Sequence, residues 1–246
     1  MIRKMVMPTS APAPILPKNL RKIKFLDIDP TEMARQLTLI DSRLYNRIRP
    51  VECLAKAWSR PDGIVVAKGI RDVISANNRV SGWVSEAILV QEDLKKRAAW
   101  VKHFVAIADV SEADVCRCCR QADPGPQRCY ALNNFSSMMA IYSGLNNASL
   151  NRLRRTWDAV NQRHLALFEN MKVVLAPTKN FSRYRHTLRQ LNPPCVPFLG
   201  VYLTDLTFIE DGNSDHLKTD ERLINFSKRQ MTAEKIGEIM IYQSTP

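Results

Sequence analysis

Apolar residues return at intervals of three and four along most of this chain, and few stretches alternate with a period of two, which confines it to helices rather than sheets. At Asp29 the sequence reads Asp-Pro-Thr-Glu, with Asp29 as N-cap, Pro30 at the first helical position and Glu32 at the capping-box position. Met33, Leu37, Ile40, Leu44 and Ile48 follow on one face, so the spacing predicts a helix over 30–47. Similar stripes predict helices through Trp83–Leu89, through Leu94, Ala98, Val101, Val105 and Ala108, and through Phe135–Tyr142 with Gly144 as the stop. Ser149 is placed to cap a long helix carrying Leu150, Leu153, Trp157, Val160, Leu167 and Phe168. Phe181, Tyr184, Leu188 and Leu191 outline another, ended by Pro193 and Pro194. Glycine is scarce, at 8 of 246 residues, which leaves few breaks, and the expected fold class is all-α. Phe198–Ile209 alone is contested: its β-branched and aromatic content suits a strand, while Leu199, Leu203, Leu206 and Ile209 keep helical spacing.

Residues 1–25 form a lead-in that Pro8, Pro12, Pro14 and Pro17 keep from propagating a helix, and it is expected to lie extended along a surface. No run approaches the roughly 18 apolar residues that a membrane span needs, which argues against spanning and classical secretion. The six cysteines then read as reduced thiols of a cytoplasmic protein. Three of them, Cys116, Cys118 and Cys119, fall in 110–127, a turn-rich interval without apolar periodicity, expected to be an exposed loop. Its 18 residues begin with a valine, whose codon starts GT, and end with a glutamine, whose codon can end AG. A retained intron is the hypothesis that follows; transcripts reading through these codons without a spliced alternative would end it.

Chemistry-bearing residues are sparse. Cys-X-Cys-Cys lacks the second ligand pair of a zinc site, the four histidines stand in no hydrolytic setting, and no phosphate-binding glycine loop is present. Neither a metal nor direct nucleotide binding is expected. Formal charge is +12, which suggests an acidic partner. Nine basic residues against two acidic ones crowd 151–190, but Trp157, Phe168, Phe181 and Tyr184 occupy core-like helical positions rather than interleaving with the basic face. A basic helical nucleic-acid-binding protein stays open as an alternative. The interval 205–221 has the opposite sign, with six carboxylates against Lys218.

Three separated blocks are distinctive: LDIDPTEMARQLTLIDSRLYNRIRPVECLAKAW at 26–58, ALNNFSSMMAIYSGLNNASLNRLRRTW at 131–157, and NPPCVPFLGVYLTDLTFIEDGN at 192–213 followed by INFSKRQ at 224–230. In order and spacing they resemble the catalytic domain of Ras-type guanine-nucleotide exchange factors, in wording nearest to fungal members. The resemblance runs from about residue 14 to the C-terminus with 110–127 as its interruption, making 26–246 the catalytic domain. Family domains continue a little beyond Pro246, and full-length members carry a preceding helical module that props the hairpin, so a shortened C-terminus and a missing support are expected.

The resemblance implies a multi-helix bowl with a protruding helical hairpin that grips the switches of a Ras-family small GTPase, passes through a nucleotide-free intermediate, and promotes GDP release for GTP loading. No covalent chemistry and no cofactor are implied. The first hairpin helix would be 197–211, and the second 221–243 with Leu223, Ile224, Phe226, Met231, Ile236 and Met240 as apolar positions. Thr207 takes the position of the side chain that intrudes on the metal site. Asp211 takes the acidic position that reaches the phosphate-binding loop, where the family commonly has glutamate, and Glu210 is placed to share that role. Phe198, Thr204, Asp205 and Phe208 are implied to contact or support the switches, and Arg152 matches a family arginine near the second-switch pocket. Recruitment to the inner face of the plasma membrane, where lipidated GTPases reside, is implied as well. A non-catalytic GTPase-binding scaffold is the second alternative.

Overall fold

The computed structural model describes residues 13–17, 21–109 and 128–243. Helices account for the regular structure; among the described residues the only β pairings are two isolated bridges, Asn134 with Val196 and His216 with Ile224. The fold is all-α.

Helix α1, Pro30–Tyr45, starts as its sequence predicts: the Asp29 carboxylate accepts from the Thr31 N–H at 2.7 Å, and Pro30 occupies the first turn. Glu32 does not close a capping box. Its carboxylate accepts instead from Gln36 Nε2 at 2.8 Å and from the Ile15 N–H at 3.3 Å, so it ties the lead-in segment 13–17 onto α1. The buried face of α1 also differs from the apolar stripe: Ala34, Thr38, Asp41, Ser42 and Tyr45 are inside, Met33, Leu37 and Leu44 are half-buried, and Ile40 is exposed. Polar groups across the interface explain the rotation. Asn134 Nδ2 donates to Thr38 Oγ1 and to Asp41 Oδ2, each at 3.1 Å, and the Ser137 hydroxyl also bonds Asp41.

A 3-10 segment, Pro50–Ser59, follows, broken by left-handed backbone at Ala55 (φ 46°) and Lys56 (φ 51°). Buried Glu52 accepts from the Ile70 N–H at 3.0 Å and so satisfies the first turn of α3, Lys68–Leu89, after the short α2, Gly63–Val66. A carboxylate there also complements the helix dipole. Helix α4, Leu94–Ala108, is capped by Asp93, which accepts from the Lys96 N–H at 2.8 Å. Phe25 packs against Trp83, Trp100 and Phe104 with ring centroids 4.7–5.1 Å apart, joining the lead-in to α3 and α4.

Helix α5, Phe135–Leu145, is buried almost throughout and lies against α3. Gly144 is therefore not a helix stop. It lies inside α5, where a Cβ would meet Ser81 O at 2.6 Å and Val84 Cβ at 2.7 Å, and its absence lets the two helices approach. The long helix expected after Ser149 is instead three pieces: α6, Ala148–Asn151; α7, Arg154–Asp158; and α8, Gln162–Val174. Asn147 rather than Ser149 caps the first piece, accepting from the Ser149 N–H at 2.9 Å, and Asn161 caps the third after the second break, accepting from the His164 N–H at 3.1 Å. Helix α9, Thr178–Arg189, opens with left-handed Lys179, Asn180 and Phe181 before a regular run.

The contested segment is helix α10, Leu199–Gly212, and the last helix, α11, is Phe226–Ile241. They pack antiparallel, as the cross-links Glu210 to Lys228 and Asp205 to Lys235 require. The second helix begins five residues later than expected because Asn225 ends the turn: its side chain accepts from the Lys228 N–H and donates to Ser214 O. Leu223 and Ile224 lie in that turn, where the Leu217 N–H donates to Leu223 O at 2.9 Å. Cys53, Cys129 and Cys195 are buried thiols, while Cys116, Cys118 and Cys119 and the loop reading of 110–127 lie outside the described residues.

Candidate functional site on the helical hairpin

Helix α10 anchors itself through Leu199, Val201, Tyr202, Leu203 and Leu206, all buried, and through the Phe198 N–H, which donates to Tyr184 Oη at 2.8 Å. That anchoring decides which of its polar residues face outward. Thr204, Thr207, Phe208 and Asp211 follow at intervals of three, one and three, so they share one face about 100° wide. Thr204 and Asp211 are exposed, Phe208 is 69% exposed and Thr207 is half-buried. Both threonine hydroxyls donate back into their own helix, Thr204 to Gly200 O at 2.9 Å and Thr207 to Leu203 O at 2.8 Å, leaving their methyl groups and oxygen lone pairs for a visitor.

Asp205 and Glu210 point to the flanks of this stripe. Asp205 is held in a fork by Arg185, with both bonds at 2.8 Å, and its side chain is only 12% exposed. Glu210 pairs at 3.1 Å with Lys228, whose side chain is buried. Lys228 also bonds Asp215 at 2.9 Å. Burial alone would depress the Lys228 ammonium, but the two carboxylates overcome it and hold the pKa above the usual lysine value. In return the Lys228 hydrogen bond holds Asp215 below the ordinary carboxylate range. Asp211 pairs with Lys56, which arrives from the left-handed turn of the 3-10 segment.

The acidic interval 205–221 thus comes with its own countercharges: Arg185, Lys228, Lys56 and Arg229, with Arg222 on Asp220. None of those cations stands out as a site residue in the sequence. The signal that points to them is the excess of carboxylates itself, which Lys228, Arg229 and Arg222 of the hairpin offset together with Lys56 and Arg185 from other elements.

Beyond α10 the candidate residues disperse. Phe198 is half-buried at the N-cap, packed against the core. Arg152 is exposed at the end of α6, and no hydrogen bond or ion pair joins it to the α10 stripe. Exposed Leu223, Ile224 and Phe226 extend the apolar surface around the hairpin turn. Among the described residues no group of three His, Cys, Asp or Glu side chains is placed to hold a metal, and no helix is long and apolar enough to cross a membrane. The arrangement offers a partner an aromatic ring, two threonines and one exchangeable carboxylate on a rigid support.

Comparison with known proteins gives this geometry its context. The family model described as RasGEF domain matches residues 32–230. The chain is 40% identical over 217 residues to Ras guanine nucleotide exchange factor Y of Dictyostelium discoideum, covering 88% of this chain and 13% of that protein. It is 37% identical to Cell division control protein 25 of Candida albicans over 241 residues and of Saccharomyces cerevisiae over 239, in each case covering 96% of this chain. Those matches take in 17% and 14% of the two proteins, so the chain spans less than a fifth of the length of these relatives. A domain match over most of the folded part, with helix α10 and the turn into α11 inside it, leaves one assignment: the chain belongs to the RasGEF-domain family.

Proposed function

We propose that this chain is an exchange catalyst for a Ras-family small GTPase, acting through the α10 stripe. The observation that carries the reading is the separation of roles among neighbouring carboxylates: Asp205 and Glu210 are fixed by buried or forked cations, while Asp211 stands 57% exposed beside Thr207 and Phe208.

A small GTPase holds its nucleotide through backbone amides, a lysine and Mg²⁺ on the phosphates, so release is slow unless that site is weakened. A helix pushed between the first switch and the nucleotide opens the pocket. Thr207 would then lie at the metal position and disfavour Mg²⁺ by bulk, and Asp211 would compete for the amides and lysine that held phosphate. The nucleotide-free complex is resolved by whichever nucleotide returns, so catalysis sets the rate and the cellular nucleotide concentrations set the direction. No bond of the nucleotide is made or broken. Where the GTPase is lipidated, the reaction takes place at the inner face of the plasma membrane, to which the chain would be recruited.

Release of a fluorescent GDP analogue from Ras-, Rap- and Ral-type GTPases tests this. The chain is expected to accelerate release from at least one, and Asp211→Ala to slow that release about tenfold or more, the loss of one charge-assisted contact. Binding to nucleotide-free GTPase without acceleration for any of the panel would establish a scaffold instead.

A further inference from the structure

We infer that Lys56 is a positioning residue that acts as a brake on Asp211: it holds the carboxylate in the free protein and yields it when a GTPase engages. This rests on the proposed role of Asp211 in exchange. Three observations lead to it. First, Lys56 and Asp211 lie 155 residues apart in the chain and are joined by an ion pair between two different elements. Second, Lys56 is delivered by consecutive left-handed residues, Ala55 and Lys56, a conformation that non-glycine residues rarely take and that persists only where the surroundings hold it. Third, the two adjacent carboxylates at the end of α10 are held unequally. Glu210 meets Lys228, whose side chain is 2% exposed, so breaking that contact would leave a buried charge with Asp215 alone. Asp211 and Lys56 are 57% and 30% exposed, and an exposed pair is worth little.

A weak pair suits a brake. Asp211 sits at the C-terminal end of α10, where the helix dipole disfavours an anion and the last turn holds no basic residue. Lys56 relieves that repulsion and keeps the carboxylate against the 3-10 segment. When backbone amides and a lysine of the GTPase approach, water can replace Lys56 at small cost. The ammonium then remains beside the site without a carboxylate and opposes the transfer, so the free chain is slower than its residues alone would allow.

The experiment is release of the fluorescent GDP analogue by the full chain, comparing wild type, Lys56→Met, Lys56→Gln, Lys56→Arg, Asp211→Asn and the double variant Lys56→Met with Asp211→Asn, at about 50 and about 300 mM salt. Neutralising Lys56 is expected to raise kcat/KM about two- to fivefold at low salt, the factor an exposed pair represents. The gain should shrink toward unity at high salt, where the pair is screened, a response that a merely structural role would not show. Lys56→Arg should restore the wild-type rate, and the double variant should match Asp211→Asn alone. If Asp211→Asn slows release while Lys56→Met and Lys56→Gln leave it unchanged or slow it too, the brake is wrong and the exchange role of Asp211 stands. If Asp211→Asn releases as fast as wild type, the carboxylate has no part and the brake falls with it.

Discussion

At the scale of single residues, the most consequential group outside the hairpin is Asp41. It lies in the interior of an all-helical protein, and its hydrogen-bond partners among the described residues are neutral, Asn134 Nδ2 at 3.1 Å and the Ser137 hydroxyl. Burial pushes its carboxyl up, and the hydrogen bonds from Ser137 and Asn134 offset that only in part. A carboxyl raised on folding contributes stability that is complete below its unfolded pKa of about 3.9 and is lost as pH rises through its folded value. Asp41→Asn removes that loss and keeps an acceptor oxygen for both partners. In urea melts its stability relative to wild type is expected to grow as pH rises above about 4, where the unfolded carboxyl ionises while the buried one resists giving up its proton. Asp41→Ala strands the Ser137 hydroxyl and half of Asn134, and is expected to cost about 1–3 kcal/mol. A wild type whose advantage over Asp41→Asn grew with pH would show that the anion is stabilised after all. The same residue shows why the sequence misplaced the buried face of α1. Hydropathy assigns Met33, Leu37 and Ile40 inward, whereas Thr38 and Asp41 are inside because Asn134 and Ser137, more than ninety positions away, offer them partners. Local periodicity carries no information about those partners.

At the scale of elements, helix existence was legible and helix breaks were not. The start at Asp29 was read from a few neighbouring residues, whereas the start at Asn225 falls five residues beyond the one that the resemblance implied. Within 148–174 the start of the last piece turns on Asn161, which a stripe of apolar residues masks. Gly144 is the sharper case, since a glycine near a helix end reads equally well as a stop or as a contact. The structure decides for contact: Ser85 Oγ donates to Gly144 O at 3.0 Å, so backbone and hydroxyl touch across α3 and α5. Gly144→Ala should therefore lower stability by about 1–3 kcal/mol, the cost of overpacking, despite alanine's better helix propensity. A thermal melt distinguishes the two readings, because an unchanged or raised midpoint would mean that α3 yields without cost. On the hairpin, spacing left α10 open between strand and helix, and the resemblance supplied both its helical type and the roles of its residues. Lys56 and Lys228 were not legible, because an ion pair between distant segments leaves no local pattern.

At the scale of the whole molecule, the charge of +12 resolves into regions with different work to do. The acidic hairpin is neutralised by ion pairs, and the aromatic rings beneath the basic interval are engaged inside: Trp157 stacks on Phe168 with centroids 5.0 Å apart, and Tyr184 is fully buried. A strand of nucleic acid would find cations there but rings already packed against the core. The same scale bears on the interval 110–127. Its flanks are already joined without it: the Cys129 N–H donates to Ile107 O at 3.1 Å and the Tyr130 N–H to Ala108 O at 3.3 Å. A connection between two points so close needs only a few residues. Replacing the 18-residue interval by two glycines shortens the closure about ninefold, which on loop-entropy grounds stabilises the fold by up to about 2 kcal/mol if the interval serves only to connect. The shortened chain is thus expected to unfold cooperatively at a midpoint equal to or above that of the full chain, and to release the fluorescent nucleotide at the same rate. A lower midpoint with intact exchange would show that the interval packs on the folded part, and a loss of exchange with an unchanged midpoint would place it at the GTPase. Either result would also bear on the coding question, because an interval on which stability or exchange depends belongs to the working protein, whatever the codons at its ends resemble.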